Sequence, residues 1–174
     1  MTAFKSYRVA HEFIQTNPAP PEKVFPLLCP VREADWIPGW RYQLIYSDSG
    51  VAELGCVFTT PDPTVDQSQY SSASGGNTSG PMPTTWICTE YDPVAFRIGY
   101  VWIKPGRIAT ELRIQLKRSD DGDTRSHIRF RYTGLSIEGN REVEAYDRSW
   151  FEAKMHGWER AINHYLTTGA MIAA

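Results

Sequence analysis

The sequence predicts an α+β fold in which a curled, seven-stranded antiparallel sheet wraps a long C-terminal helix. Three observations carry this. Period-two apolar rows recur through residues 84–132, separated by turn clusters. The last thirty or so residues change to a helical period with a wide aromatic face. One chain of 174 residues, 41% hydrophobic, suits a single domain with a substantial core over 1–174.

In chain order, residues 4–16 alternate, with Tyr7, Val9, His11 and Phe13 on the inward row and Arg8, Ala10, Glu12 and Ile14 outward. The Asn17–Pro21 stretch ends that strand, and Pro21 suits the first position of a short helix over 22–28. Pro26 lies inside this window and limits it to one or two turns. Cys29-Pro30 stops it, and a second short helix is expected over 31–36, ended by Pro38-Gly39. Strands follow over 41–46 and 52–60, joined through Ser47-Asp48-Ser49-Gly50 as a hairpin.

Residues 61–83 are polar and small, a long flexible loop by composition. Strands resume at 84–91. Phe96, Ile98, Tyr100 and Trp102 then form one inward row, and Ile108, Thr110, Leu112, Ile114 and Leu116 the next. Ile128, Phe130 and Tyr132 form the last. Such clean alternation gives one packed and one wet face.

Asn140 is the expected N-cap of the final helix and Gly169 its stop, giving about 28 residues and a rod of about 42 Å. Val143, Tyr146, Trp150, Phe151, Met155, Trp158, Ala161, Ile162 and Tyr165 share its inner arc. A helix about 10 Å wide cannot fill a strongly curled sheet of this span. The remaining space is either plugged by large side chains or left as a cavity.

Composition narrows the function. Eighteen basic against twenty acidic residues leave a net charge of −2, without the basic footprint of a nucleic-acid binder or of a polybasic membrane anchor. No stretch approaches the length of a membrane-spanning apolar run, so no stable membrane insertion is expected. The N-terminus lacks a secretory pattern. Cys29, Cys56 and Cys88 are odd in number and widely spaced, which suits a reducing cytoplasm, with Cys56 and Cys88 as core filler. His156 and His164 stand too far apart on the helix to share a metal, and neither a metal nor a cofactor is expected. No phosphate loop, nucleophile elbow or triad motif occurs.

Three side chains draw attention because they are polar on apolar rows. Lys154 and Asp147 sit near the middle of the helix's apolar arc, where a charge must pair, snorkel or meet a polar ligand. Lys154 then reads as an anchor for a ligand carboxylate or enolate, and Asp147 as a polar group at the mouth. The plainer readings are a snorkelling lysine and a solvated aspartate. His11, on an inward row, is a candidate general base if it faces the pocket, and a satisfied core histidine is the plainer reading. Arg107, Arg113, Arg125, Arg129 and Arg131, near Glu111, line the outer face, which reads as a solvated charged surface.

The stretches NPAPPEKVFPLL (17–28), DWIPGW (35–40) and FEAKMHGWERAINHYLTTG (151–169), in this order of elements, resemble the START-like, or SRPBCC, superfamily. Its helix-grip fold is shared by birch-pollen-allergen-like proteins, lipid-transport domains and the polyketide cyclase/dehydrase group. The resemblance spans nearly the whole chain and departs at 61–83. It implies a ligand held between the concave face and the long helix. Carried over by position, the site comprises Phe58, Trp86, Tyr100, Trp102, Thr110, Leu112, Phe130, Tyr132, Phe151, Lys154, Met155 and Trp158. The leading expectation is binding of a hydrophobic or aromatic small molecule, lipid or polyketide-like. The alternatives are a cyclase/dehydratase-type enzyme and a partner-binding domain of the cochaperone kind.

Overall fold

A computed structural model of the protein describes residues 3–61 and 84–173. The chain runs through β1 (Arg8–Asn17), two short helices α1 (Pro21–Val24) and α2 (Pro30–Glu33), then six strands, and ends in two helices. The strands are β2 (Gln43–Tyr46), β3 (Val57–Thr60), β4 (Thr84–Asp92), β5 (Arg97–Lys104), β6 (Ile108–Arg118) and β7 (Thr124–Gly134). The helices are α3 (Ile137–Glu144) and α4 (Arg148–Thr168). The sheet is antiparallel throughout, in the order β1-β7-β6-β5-β4-β3-β2, so the first strand returns to pair with the last. The long loop expected over 61–83 falls almost wholly outside the described residues.

Local chemistry explains where the elements depart from expectation. Between α1 and α2, Pro26 cannot donate to an α-helical ladder, and residues Phe25–Leu28 tighten into a 3-10 turn. Pro30 does not merely stop a helix. It occupies the first turn of α2, which is shorter than expected and gives way to turns up to Gly39, at φ 73°. Residues 52–56 are not strand. The Glu53 carboxylate accepts the backbone N–H groups of Asp48 and Ser49, Gly55 adopts φ 83°, and the Ala52 N–H turns to Cys29 Sγ at 3.1 Å. These side-chain bonds compete with the ladder and shorten the hairpin. A register shift between Cys88 and Glu90 interrupts the alternation of β4.

The C-terminal segment is two helices, not one rod. Asn140 is not an N-cap. Ser136 caps α3 by accepting the Gly139 N–H, and Asp147 caps α4 by accepting the Trp150 N–H at 2.8 Å. Asn140 instead ties α3 to the chain before β1, accepting the Tyr7 N–H and donating to the Lys5 carbonyl. Gly169, at φ 72°, ends α4 as expected.

The backbone of α4 approaches the sheet most closely along β1. A polar strip fixes it there. Asn17 Nδ2 donates to Asn163 Oδ1 at 2.7 Å, Asn163 Nδ2 to the Thr16 carbonyl at 2.8 Å, and the Thr16 N–H to Glu159 at 2.8 Å. Phe151, Met155 and Ile162 are fully buried in the resulting core. Each contributes about 1.5–3 kcal/mol by leaving water. With the helix held at one edge, the middle strands face open space.

Candidate functional site

That space is a cavity of about 490 Å³ between the concave face and α4. Strand register builds its wall. One cross-strand row runs Phe58, Trp86, Trp102, Thr110, Tyr132 from β3 to β7. The Phe58 and Trp86 rings stack at 5.3 Å, Trp86 and Trp102 at 3.9 Å. Beyond β7 the rings continue through Tyr132 and Tyr146 at 5.0 Å to Tyr146 and Trp150 at 4.2 Å. Thr110 is the one small side chain in this row, and its size leaves a gap between two large neighbours. The row below, Tyr100, Leu112 and Phe130, forms the floor.

Of the residues expected to line a site, Phe58, Trp86, Tyr100, Trp102, Thr110, Leu112, Phe130, Tyr132, Lys154, Met155 and Trp158 surround this one cavity. Three candidates stand away from it. Phe151 is fully buried behind the lining, stacked on His11 at 4.9 Å and edge-on to Phe130 at 5.7 Å. His11 Nε2–H donates to the Tyr146 carbonyl at 2.7 Å, so it is a satisfied core histidine that faces no ligand space. Asp147 is spent as the cap of α4 rather than placed at a mouth.

Lys154 lies within the cavity. Its Nζ stands 4.4 Å from the centre of the Phe130 ring, 5.4 Å from Trp150 and 5.9 Å from Tyr132. The side chain keeps accessible surface because the space around it is the cavity itself. The protein beyond that space removes much of its hydration, and this desolvation pushes its pKa down to about 8. No carboxylate among the described residues pairs with it. Tyr132 Oη is buried without a hydrogen-bond partner among the described residues. Desolvation, then the neighbouring Tyr146 phenol, raise its pKa.

Sequence reasoning missed Glu33, Ile37 and Trp40, which wall the cavity from the α2 side. Glu33 is 8% exposed, and burial pushes its pKa up to about 8. It also missed Glu142, which takes hydrogen bonds from Tyr146 at 2.9 Å, Arg107 at 2.7 Å and Lys104 at 3.2 Å. Desolvation opposes the Glu142 charge, but these three donors overcome it and hold its pKa below the ordinary carboxylate value. Thr60, Pro61 and Thr84 complete the lining beside the segment 62–83.

On the outer face Glu111 pairs with Arg113 at 2.6 Å and Arg131 at 3.3 Å, and Glu12 with Arg129 at 3.5 Å. Cys29, Cys56 and Cys88 are free and buried. Among the described residues, no three His, Cys, Asp or Glu side chains gather as a metal site, and no helix is long and apolar enough to cross a membrane.

No family model and no curated protein matches the sequence. Solved structures do match its fold. The crystal structure of Ara h 8.0201 is 17% identical, with a TM-score of 0.56, over 93% of this chain and 99% of that one. Mll3558 from Rhizobium loti is 15% identical, with a TM-score of 0.57, over 92% and 98%. Norcoclaurine synthase from Thalictrum flavum is 13% identical, with a TM-score of 0.59, over 94% and 88%.

Proposed function

We propose that this chain, which has the helix-grip fold of birch-pollen-allergen-like, START-like proteins, binds a hydrophobic or aromatic small molecule in the cavity between sheet and α4. The observation that carries this reading is the 490 Å³ of space left open inside a wall of stacked rings, with the Lys154 ammonium in it and no carboxylate among the described residues paired with that ammonium. That volume lies in the range of small-molecule sites, and the ratio of apolar wall to polar groups is the usual one. Lys154 is the anchor for an anionic oxygen of the ligand. Trp86, Trp102 and Trp158 offer stacking area, and Thr110 and Tyr132 offer hydroxyl groups.

The test is native mass spectrometry of the protein as purified, with titration of 8-anilinonaphthalene-1-sulfonate followed by tryptophan fluorescence. A retained small molecule, or saturable quenching with one site per chain, is expected. Absence of both would remove the binding role.

A second reading, a cyclase/dehydratase-type enzyme, is favoured by Lys154 Nζ standing 5.9 Å from the centre of the Tyr132 ring, whose hydroxyl has no hydrogen-bond partner among the described residues. An ammonium with a pKa of about 8 exchanges protons readily near neutral pH, and an aromatic wall orients a flexible chain. Norcoclaurine synthase, an enzyme, shares the fold. Turnover of a poly-β-ketone mimic, abolished in Lys154→Ala, distinguishes this reading from simple binding.

A further inference from the structure

Glu33 is the one carboxyl group of the cavity with no hydrogen bond or ion pair among the described residues. The donors nearest to α2 are committed to backbone carbonyls. Trp36 Nε1 donates to Leu27 at 2.9 Å, Trp40 Nε1 to Pro30 at 2.9 Å, and Tyr100 Oη to Leu28 at 3.1 Å. Arg32, next to it in sequence, is engaged by Asp35 at 2.6 Å and by Tyr165 at 3.4 Å. A carboxyl group on a residue only 8% exposed, without a partner among the described residues, is costly unless something else meets it. The space it borders is the cavity.

We propose that Glu33 is a second polar anchor, whose carboxyl group donates a hydrogen bond to a carbonyl or hydroxyl oxygen of the ligand. This deepens the binding reading and rests on it. Burial keeps the group mostly protonated at neutral pH, which makes it a donor. Tyr100, on β5, has its pKa raised by burial first and then by the Glu33 carboxylate, which places it near Glu33. Lys154 stands above Phe130, on β7. Tyr100 and Phe130 stand in one cross-strand row two strand spacings apart, about 10 Å, which separates the two anchors along the floor.

The ligand class is therefore an elongated aromatic molecule with an anionic oxygen at one end and a neutral oxygen acceptor at the other. A ligand amine fits less well, because Lys154 already places a cation in the same space. The groups that titrate or carry charge in the cavity with Glu33 are Tyr100 and Lys104 from β5, Tyr132 from β7, Glu142 from α3, Tyr146, and Lys154 from α4, while Arg32 of its own helix is held by Asp35. Arg41 also lines the cavity.

Paired probes test this. 6-Acetyl-2-naphthoate and 6-ethyl-2-naphthoate share the carboxylate and differ in the ketone, so their affinity ratio isolates Glu33 from Lys154. The readout is tryptophan quenching at pH 6 and pH 9.5. At pH 6 the acetyl probe is expected to bind about five- to tenfold tighter, the advantage of one hydrogen bond. The ratio falls toward one at pH 9.5. Glu33→Gln keeps the ratio at both pH values because the amide still donates. Glu33→Leu removes it while leaving the ethyl probe within about threefold.

A ratio of one at pH 6, a ratio unchanged in Glu33→Leu, or tightest binding by 6-aminomethyl-2-naphthoate overturns the Glu33 assignment alone. Failure of every naphthoate to quench overturns the cavity reading beneath it.

Discussion

Lys154 Nζ and the Phe130 ring face each other at 4.4 Å, the ammonium held over a π-face instead of a carboxylate. A cation–π contact offsets only part of the hydration that the ammonium gives up, so an anionic guest has the most to gain here. Replacing Lys154 with Met, of similar length, is expected to weaken 8-anilinonaphthalene-1-sulfonate binding about tenfold or more. Neutral 2-ethylnaphthalene should change by less than about threefold. In the unmutated protein the anionic probe should weaken as pH rises through about 8, where the ammonium loses its proton. Fluorescence titration reads all three, and equal loss for both probes would show that Lys154 only shapes the wall.

Glu33 makes a separate prediction about stability. Its folded pKa of about 8 lies above the ordinary value of 4.5, so the folded state holds the proton more tightly. Its contribution is complete below pH 4.5 and is lost as pH rises toward 8. The loss is on the order of 4 kcal/mol for so buried a group. Lys154 acts in a different window, since its desolvation cost is constant below pH 8 and relieved above it. Thermal unfolding followed by circular dichroism should therefore show Tm falling between pH 5 and pH 8. Glu33→Gln should flatten that fall, and parallel curves for both proteins would refute the assignment.

The contrast between these two residues shows what was legible in the sequence. Lys154 stood out because a charge broke a 3.6-residue apolar arc. Glu33 did not, because a four-residue helix has no period from which its facing can be read. The rows of β6 and β7 were legible because each alternates along an eleven-residue strand, and that of β5 because Ile98, Tyr100 and Trp102 keep the period of two. The facing of Glu90 is not legible in this way, because the register shift beside it breaks alternation.

Phe151 was misplaced for a subtler reason. Phe151 and Ile162 occupy the part of the arc that packs as core, Phe151 on His11 of β1, while Trp150, Lys154, Met155 and Trp158 reach the cavity. Which half is core depends on where the helix sits across the sheet, and long-range bonds such as Asn17 to Asn163 fix that. The break between α3 and α4 likewise comes from side-chain capping by Asp147, which leaves the apolar arc uninterrupted.

Two helical glycines should respond in opposite directions to alanine. Gly139 lies in α3, and a methyl group there would land inside the van der Waals radius of the Arg107 carbonyl, which is backbone and accepts the Leu135 N–H at 2.8 Å. Gly157 lies in α4 with nothing within 4 Å of the added carbon. Gly139→Ala is expected to destabilise by about 3 kcal/mol, since overpacking outweighs the helix-propensity gain. Gly157→Ala should stabilise by up to about 1 kcal/mol. Urea midpoints of the two variants measure this, and a neutral Gly139→Ala would mean that α3 does not press on the β5–β6 turn.

Asn17 tests what holds α4 at the edge that leaves the cavity open. It is fully buried, and its Oδ1 accepts from Ser126 Oγ at 2.9 Å and Gln15 Nε2 at 3.1 Å while Nδ2 reaches Asn163. Asn17→Leu strands all three partners, and Gln15 Oε1 already lacks one. A loss of about 3 kcal/mol is expected from the buried groups left unpaired. Asn163 is only half-buried, so water can replace much of what Asn163→Ala removes, and about 1 kcal/mol is expected. The double variant should cost less than the two singles together, because they share a bond. Denaturant unfolding of the four proteins provides the cycle, and strict additivity would mean that the Asn17–Asn163 bond does not fasten the helix to β1.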